Sequence, residues 1–150
     1  MSAATQDFEH NATTRTSGHR YIFMAKHHGG DPDAGTWLPE ISQATEFSIF
    51  EAADSWQSSD ERGRLYGVLS NGRRGLRMIG TWDEQVAEFQ PGSTATQAWH
   101  GYPQWALVPV GPPNRRKQIC TPDRTVFNRM VDLGVITKLQ RKRFLAGRTA

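Results

Sequence analysis

Apolar positions in this chain come in short blocks, each cut off by polar or Gly/Pro-rich stretches. Tyr21 to Ala25 is one such block, short enough for a buried strand, and the glycines and Pro32 that follow predict a loop from His27 to Gly35. Ile49, Ala53 and Trp56 recur at helical spacing, which predicts a helix over residues 45–56 with Thr45 as its N-cap. Two β-like runs, Leu65 to Ser70 and Leu76 to Ile79, flank Asn71-Gly72 and predict a hairpin. Thr81-Trp82-Asp83-Glu84 fits a capping box, and Trp82, Val86 and Phe89 would share one face of the helix it starts, ended by Pro91-Gly92. Trp99, Tyr102 and Trp105 read as a turn anchored in the core. Ala106 to Val110 reads as a strand confined to an edge by Pro109, and Gly111-Pro112-Pro113 as a stiff break.

Beyond that break the signals are more local. Thr121-Pro122-Asp123 starts a helix whose apolar stripe is Val126, Phe127, Met130 and Leu133, and Gly134 is placed to end it in the left-handed conformation. Thr137 and Gln140 form a second capping box for a helix from Lys138 to about Ala146. A helix-turn-helix DNA reader would bury apolar side chains six and nine residues after the turn glycine. Gln140 and Arg143 stand there, so the recognition-helix reading fails on packing.

With strands and helices mixed and no βαβ alternation, the expected fold is α+β: a small mixed sheet with a β-hairpin and packed helices, ending in a basic C-terminal helical hairpin. The expected organisation is a mobile N-terminal tail at 1–19, a body at 20–113, and the hairpin at 114–150 packed on that body as one domain. Cys120 is the only cysteine, so no internal disulfide forms. No apolar run approaches the roughly 20 residues of a membrane span or the core of a signal peptide. The chain is therefore expected in the cytoplasm without a membrane partner. Arg supplies 14 of the 18 basic residues, which we read as the bias of a GC-rich bacterial genome.

Charge sharpens this picture. Met1 to Pro113 carries 8 basic and 13 acidic residues, a net −5, whereas Asn114 to Ala150 carries 10 basic residues against Asp123 and Asp132, a net +8. Segregation of this kind predicts an electrostatic docking surface formed by Arg115, Arg116, Lys117, Lys138, Arg141, Lys142, Arg143 and Arg148, with Trp99 and Tyr102 as further binding candidates. The same charge would also serve to neutralise the acidic body.

Candidate chemistry is sparse. His100, held between Trp99 and Tyr102, has the character of a general acid or base. His28 is its best proton-carrying partner, and Arg115 and Arg116 would stabilise phosphate charge. His27, His28, Asp31 and Asp33 include metal-ligand types, but the glycines and Pro32 already account for that segment as a loop, and no metal site or cofactor is expected. Cys120, beside Arg116 and Lys117, reads as an ordinary thiol. No phosphate-loop, dinucleotide or nucleophile-elbow pattern occurs. The resulting expectation is a non-catalytic binding or regulatory module that engages an anionic partner, an acidic protein surface or nucleic acid, through its basic hairpin. The alternatives are a small metal-independent, toxin-like ribonuclease using His100 and His28 with Arg115 and Arg116, and an immunity or inhibitor protein presenting Asp54, Asp60, Glu61, Asp83, Glu84 and Glu88 to a cognate enzyme.

Overall fold

The computed structural model describes residues 20–29, 36–57, 63–72, 75–81, 83–92, 98–106, 119–120, 124–146 and 148–150. Its elements are a 3-10 turn at Ala25–His28, helix α1 at Gln43–Trp56, strands β1 at Leu65–Gly67, β2 at Val86–Gln90, β3 at His100–Ala106 and β4 at Ile119–Cys120, then helices α2 at Arg124–Asp132 and α3 at Lys138–Leu145. The sheet runs β1-β2-β3-β4, with the first three strands antiparallel and β4 added in parallel at Trp105 and Ala106. The α+β class expected from the sequence is what the chain adopts.

Side chains alternate across a strand, so the register divides the sheet into two faces. Leu65, Phe89 and Ala87 point to one side, where α1 packs Ile49, Phe50 and Ala53 against them, joined by Tyr21, Phe23, Trp37, Ile41 and Ile79. Tyr66 and Val86 point to the other, where the α2–α3 hairpin contributes Val126, Phe127, Met130, Ile136 and Phe144. The sheet is thus covered on both sides, and four of the five β2 residues are buried. This explains why 81–89 misleads as a sequence. A strand buried on both faces loses the apolar–polar alternation, and Val86 and Phe89 then imitate a helical stripe. No helix follows Thr81; the Ile79 and Gly80 amides instead donate to the Glu84 carbonyl, and the chain enters β2.

Other expectations need similar correction. The Tyr21 block forms no extended strand: Tyr21 makes an isolated parallel bridge to Trp99 before the 3-10 turn begins. The predicted hairpin reduces to a bridge between Ser70 and Leu76, because β1 pairs with β2 instead. The Trp99–Trp105 segment is no turn: it supplies β3, the strand between β2 and β4. Its Gly101 is required by close approach, since a Cβ there would stand 2.1 Å from Cδ1 of Phe89. Helix α1 is capped by Ser42, whose hydroxyl accepts from the Thr45 amide at 3.1 Å, so Thr45 lies within the first turn. The expected tail at 1–19, the 107–110 part of the predicted edge strand, the break at 111–113 and the helix start at 121–123 all fall outside the described residues.

The C-terminal hairpin follows its sequence signals closely. Thr137 and Gln140 form the reciprocal capping box, and Gly134 turns the chain at φ +74°. Phe127 and Phe144 stack at 5.4 Å and tie the two helices together. Leu133 departs from its expected place on the apolar stripe: it is 47% exposed, because α2 ends one residue before it. Arg129 anchors the hairpin to α1 by donating from Nε to the Trp56 carbonyl at 2.9 Å, a cation at the negative end of that helix.

Candidate functional site

Two polar assemblies stand out against the apolar core, one on each side of β3. The first lies under α1. Glu46 faces inward from α1 and is 1% exposed, accepting a 2.5 Å hydrogen bond on Oε2 from the Tyr21 hydroxyl. His28 Nε2 sits 2.8 Å from Glu46 Oε1, an ion-pair contact whose alignment falls short of a hydrogen bond. Burial raises the Glu46 carboxyl above the ordinary carboxylate range, against the opposing pull of His28 and Tyr21. Burial, and then the Glu46 charge, push the Tyr21 phenol well above its usual value.

The second assembly occupies the opposite sheet face, beyond the half that the hairpin covers. Register places Glu88 opposite Tyr102 and Gln90 opposite His100, so all four side chains share one face. The Tyr102 hydroxyl donates to Glu88 Oε2 at 2.8 Å, Gln90 Nε2 lies 2.8 Å from the same oxygen, and Arg64 NH1 lies 3.2 Å from it. Burial raises the Tyr102 phenol strongly, with the adjacent Glu88 charge as the next cause. His27 folds over from the 3-10 turn and stacks on Tyr102 at 4.6 Å, with the His100 ring 6.2 Å away and nearly parallel at 9°. Gln104, one pair further along this face, is 7% exposed, and its Oε1 has no hydrogen-bond partner.

The candidates read from the sequence are redistributed accordingly. His100 and Tyr102 do come together, but the histidine stacked beside them is His27, while His28 is committed to Glu46. Trp99 is partly buried and packs against the α1-side core, with its ring 5.8 Å from that of Phe50. Arg115, Arg116 and Lys117 lie outside the described residues, as do Asp31, Asp33, Asp60 and Glu61, and nothing is described of the Cys120 side chain. Asp54, Glu84 and Glu88 are 3%, 1% and 3% exposed, which removes them from any acidic docking face; among the described residues of that group, Asp83 alone is at the surface. The sequence reading assigned Glu88 only to an acidic docking face and did not single out Arg64. Only the β1-β2-β3 register brings them to His100, and residue spacing along one strand carries no trace of it.

Three of the remaining predicted cations of the hairpin, Lys138, Arg141 and Lys142, converge on one groove. Arg124, Lys138, Arg141 and Lys142 line a surface depression of ≈ 470 Å³, together with Leu145 and Ala146. Arg141 is steadied there by donating to Asn128 Oδ1 at 2.8 Å. Lys138, Lys142, Arg143 and Arg148 are exposed, and Arg124, not singled out in the sequence, joins them. Among the described residues no three His, Cys, Asp or Glu side chains converge to hold a metal ion, and no helix is long and apolar enough to cross a membrane. Compared with known proteins, the chain matches no family model, no curated protein and no solved structure.

Proposed function

We propose that the protein is a binding module that engages an anionic macromolecule through the α2–α3 hairpin. The observation that carries this reading is the convergence of Arg124, Lys138, Arg141 and Lys142 on one groove. Between acidic protein and nucleic acid, the lining favours nucleic acid. Protein interfaces take their energy from buried aromatic and apolar anchors, and Leu145 and Ala146 offer little of that, whereas phosphates need only closely spaced cations. The single cysteine and the absence of a membrane-spanning helix among the described residues support a cytoplasmic setting for this encounter.

Salt dependence tests the proposal directly. Affinity for a single-stranded oligonucleotide should fall steeply with salt, with a log–log slope of about −0.7 per phosphate contacted. The double substitution Lys138→Ala/Lys142→Ala, on exposed positions, should weaken binding about equally for all sequences and flatten the slope by roughly two contacts. Salt-insensitive or undetectable binding would sink the reading. Binding to a polyglutamate but not to an oligonucleotide would redirect it to an acidic protein partner.

A further inference from the structure

The lining of the hairpin groove changes character along α3. Lys138, Arg141 and Lys142 stand at i, i+3 and i+4, and Leu145 and the C-cap Ala146 follow at i+7 and i+8. These positions form one row on the helix surface, cationic toward the start of α3 and apolar toward its end. Arg124, at the start of α2, adds a fourth cation from the second helix. From this division we infer that the groove takes an unpaired nucleotide of a single strand, a conclusion that deepens the nucleic-acid reading above and rests on it. The phosphate lies among Arg124, Lys138, Arg141 and Lys142, and the base lies over Leu145 and Ala146.

Spacing supports this placement. A helix rises about 1.5 Å per residue, so the three or four residues from Lys142 and Arg141 to Leu145 span about 5 Å along α3. That is the reach of one sugar between a phosphate and its own base. Arg141 is preset for the phosphate: its Nη1 donates to Asn128 Oδ1 at 2.8 Å, and the rest of its fork stays outside that bond. Leu145 is half-buried against the hairpin core and Ala146 is exposed, so the apolar end of the groove is a fixed and open floor. It is too small to anchor a protein partner, yet sufficient for the flat face of a base.

A duplex cannot use both ends of this groove. Its phosphates and sugars face outward, and its base faces are hidden in the stack. The base edges it does show are polar and call for donors and acceptors, which the side chains of Leu145 and Ala146 lack. An unpaired base exposes its face, and contact with that face tolerates every sequence. Charge alone would favour the duplex, which carries a phosphate per about 1.7 Å of axis. A preference for the single strand therefore isolates the base contact. Four cations also exceed the charge of one backbone phosphate, so the neighbouring phosphates of a strand are held as well, and a free mononucleotide is held less tightly.

Fluorescence anisotropy with the full chain tests this, using a labelled single strand, the same strand annealed to its complement, and the mononucleotide monophosphate as competitor. At equal salt the single strand should bind about fivefold or more tighter than the duplex, the lower end for one base contact. Ala146→Tyr, at an exposed position, adds an aromatic face and should tighten the single strand by about fivefold, with duplex affinity and the salt slope unchanged. Leu145→Ala should weaken the single strand at an unchanged salt slope, whereas Arg124→Ala should flatten the slope by about one contact. If L145A fails to fold, as judged by far-UV circular dichroism, A146Y decides alone. A duplex bound as tightly as the single strand, or tightened equally by A146Y, overturns the unpaired base and leaves the groove standing as a nucleic-acid site. A mononucleotide that competes at the concentration of the strand overturns the strand. Absence of salt-sensitive binding to either form instead takes down the nucleic-acid reading itself.

Discussion

His27 and His28 are neighbours in the chain, yet they serve opposite faces of the sheet: His28 meets the buried Glu46 on α1, while His27 stacks on Tyr102 at 4.6 Å. The 3-10 turn that carries them closes over the β3 side of the sheet, and its tight winding sends consecutive side chains in different directions. One dipeptide thereby contributes to both polar assemblies. Substituting either histidine should report on one assembly with little effect on the other.

The Glu46 assembly predicts a specific dependence of stability on pH. Because burial raises its pKa, the folded state favours the protonated carboxyl. Stability from this group is fully present below the unfolded carboxyl value, near 4.3, and is lost as pH rises through the folded one. Glu46→Gln keeps an acceptor for Tyr21 but cannot ionise. Its stability relative to wild type should therefore climb as pH rises from 4 to 7. Urea midpoints measured across that range check this, and parallel profiles for the two proteins would refute it.

Gly101 predicts a large effect from a small change. An added Cβ would meet Phe89 Cδ1 at 2.1 Å and the Glu88 carbonyl at 3.1 Å, in the middle of the β2–β3 pair. Gly101→Ala should cost about 3 kcal/mol, the upper end for overpacking, since Phe89 is itself fully buried and hemmed in by Tyr21, Trp37 and Phe50. Adding Phe89→Leu should recover part of the loss, a non-additivity expected of residues in contact. A G101A melting temperature equal to wild type would show that the strand pair relaxes freely.

What the sequence discloses depends on how local its cause is. Gly134 and the Thr137–Gln140 capping box act within a few residues, and they stand where the chain predicted them. The α1 helix was legible from Ile49 and Ala53, but its start was misplaced by three residues, because Ser42 and Thr45 are both competent caps and only Ser42 takes the role. Strand β2 was read as a helix because burial on both faces erased its alternation, and Gly101 and Pro103 disguised β3 as a turn. For Pro103 the disguise has a cause: β4 reaches only Trp105 and Ala106, so at Pro103 the described pairing is with β2 alone. The Glu88 assembly depends on three strands meeting in register, which is information of long range.

Thr137 offers a measurement of the local signal. Thr137→Ala removes the hydroxyl that accepts from the Gln140 amide at 3.0 Å and dismantles the reciprocal box. The expected loss is about 1 kcal/mol, with Thr137→Ser close to wild type. Chemical denaturation distinguishes this from a loss below about 0.3 kcal/mol, which would mean that packing alone sets the start of α3.

The Phe127–Phe144 stack predicts how the hairpin comes apart. Helices α2 and α3 span 9 and 8 residues, too short to persist alone in water, so their order comes from packing on Tyr66, Val68, Leu76 and Val86. Phe144 is 2% exposed and is the one buried residue of α3, so Phe144→Ala empties the contact that holds this helix down. A loss of about 3–5 kcal/mol is expected for such a truncation, and Phe144→Leu should lose less. The α1-side cluster does not include Phe144, so the loss should fall on a sub-global opening of the hairpin before the body unfolds. Native-state hydrogen exchange resolves this: in F144A the amides of α2 and α3 should exchange faster by far more than those of α1. Equal acceleration in all three helices would show instead that hairpin and body open as a single cooperative unit.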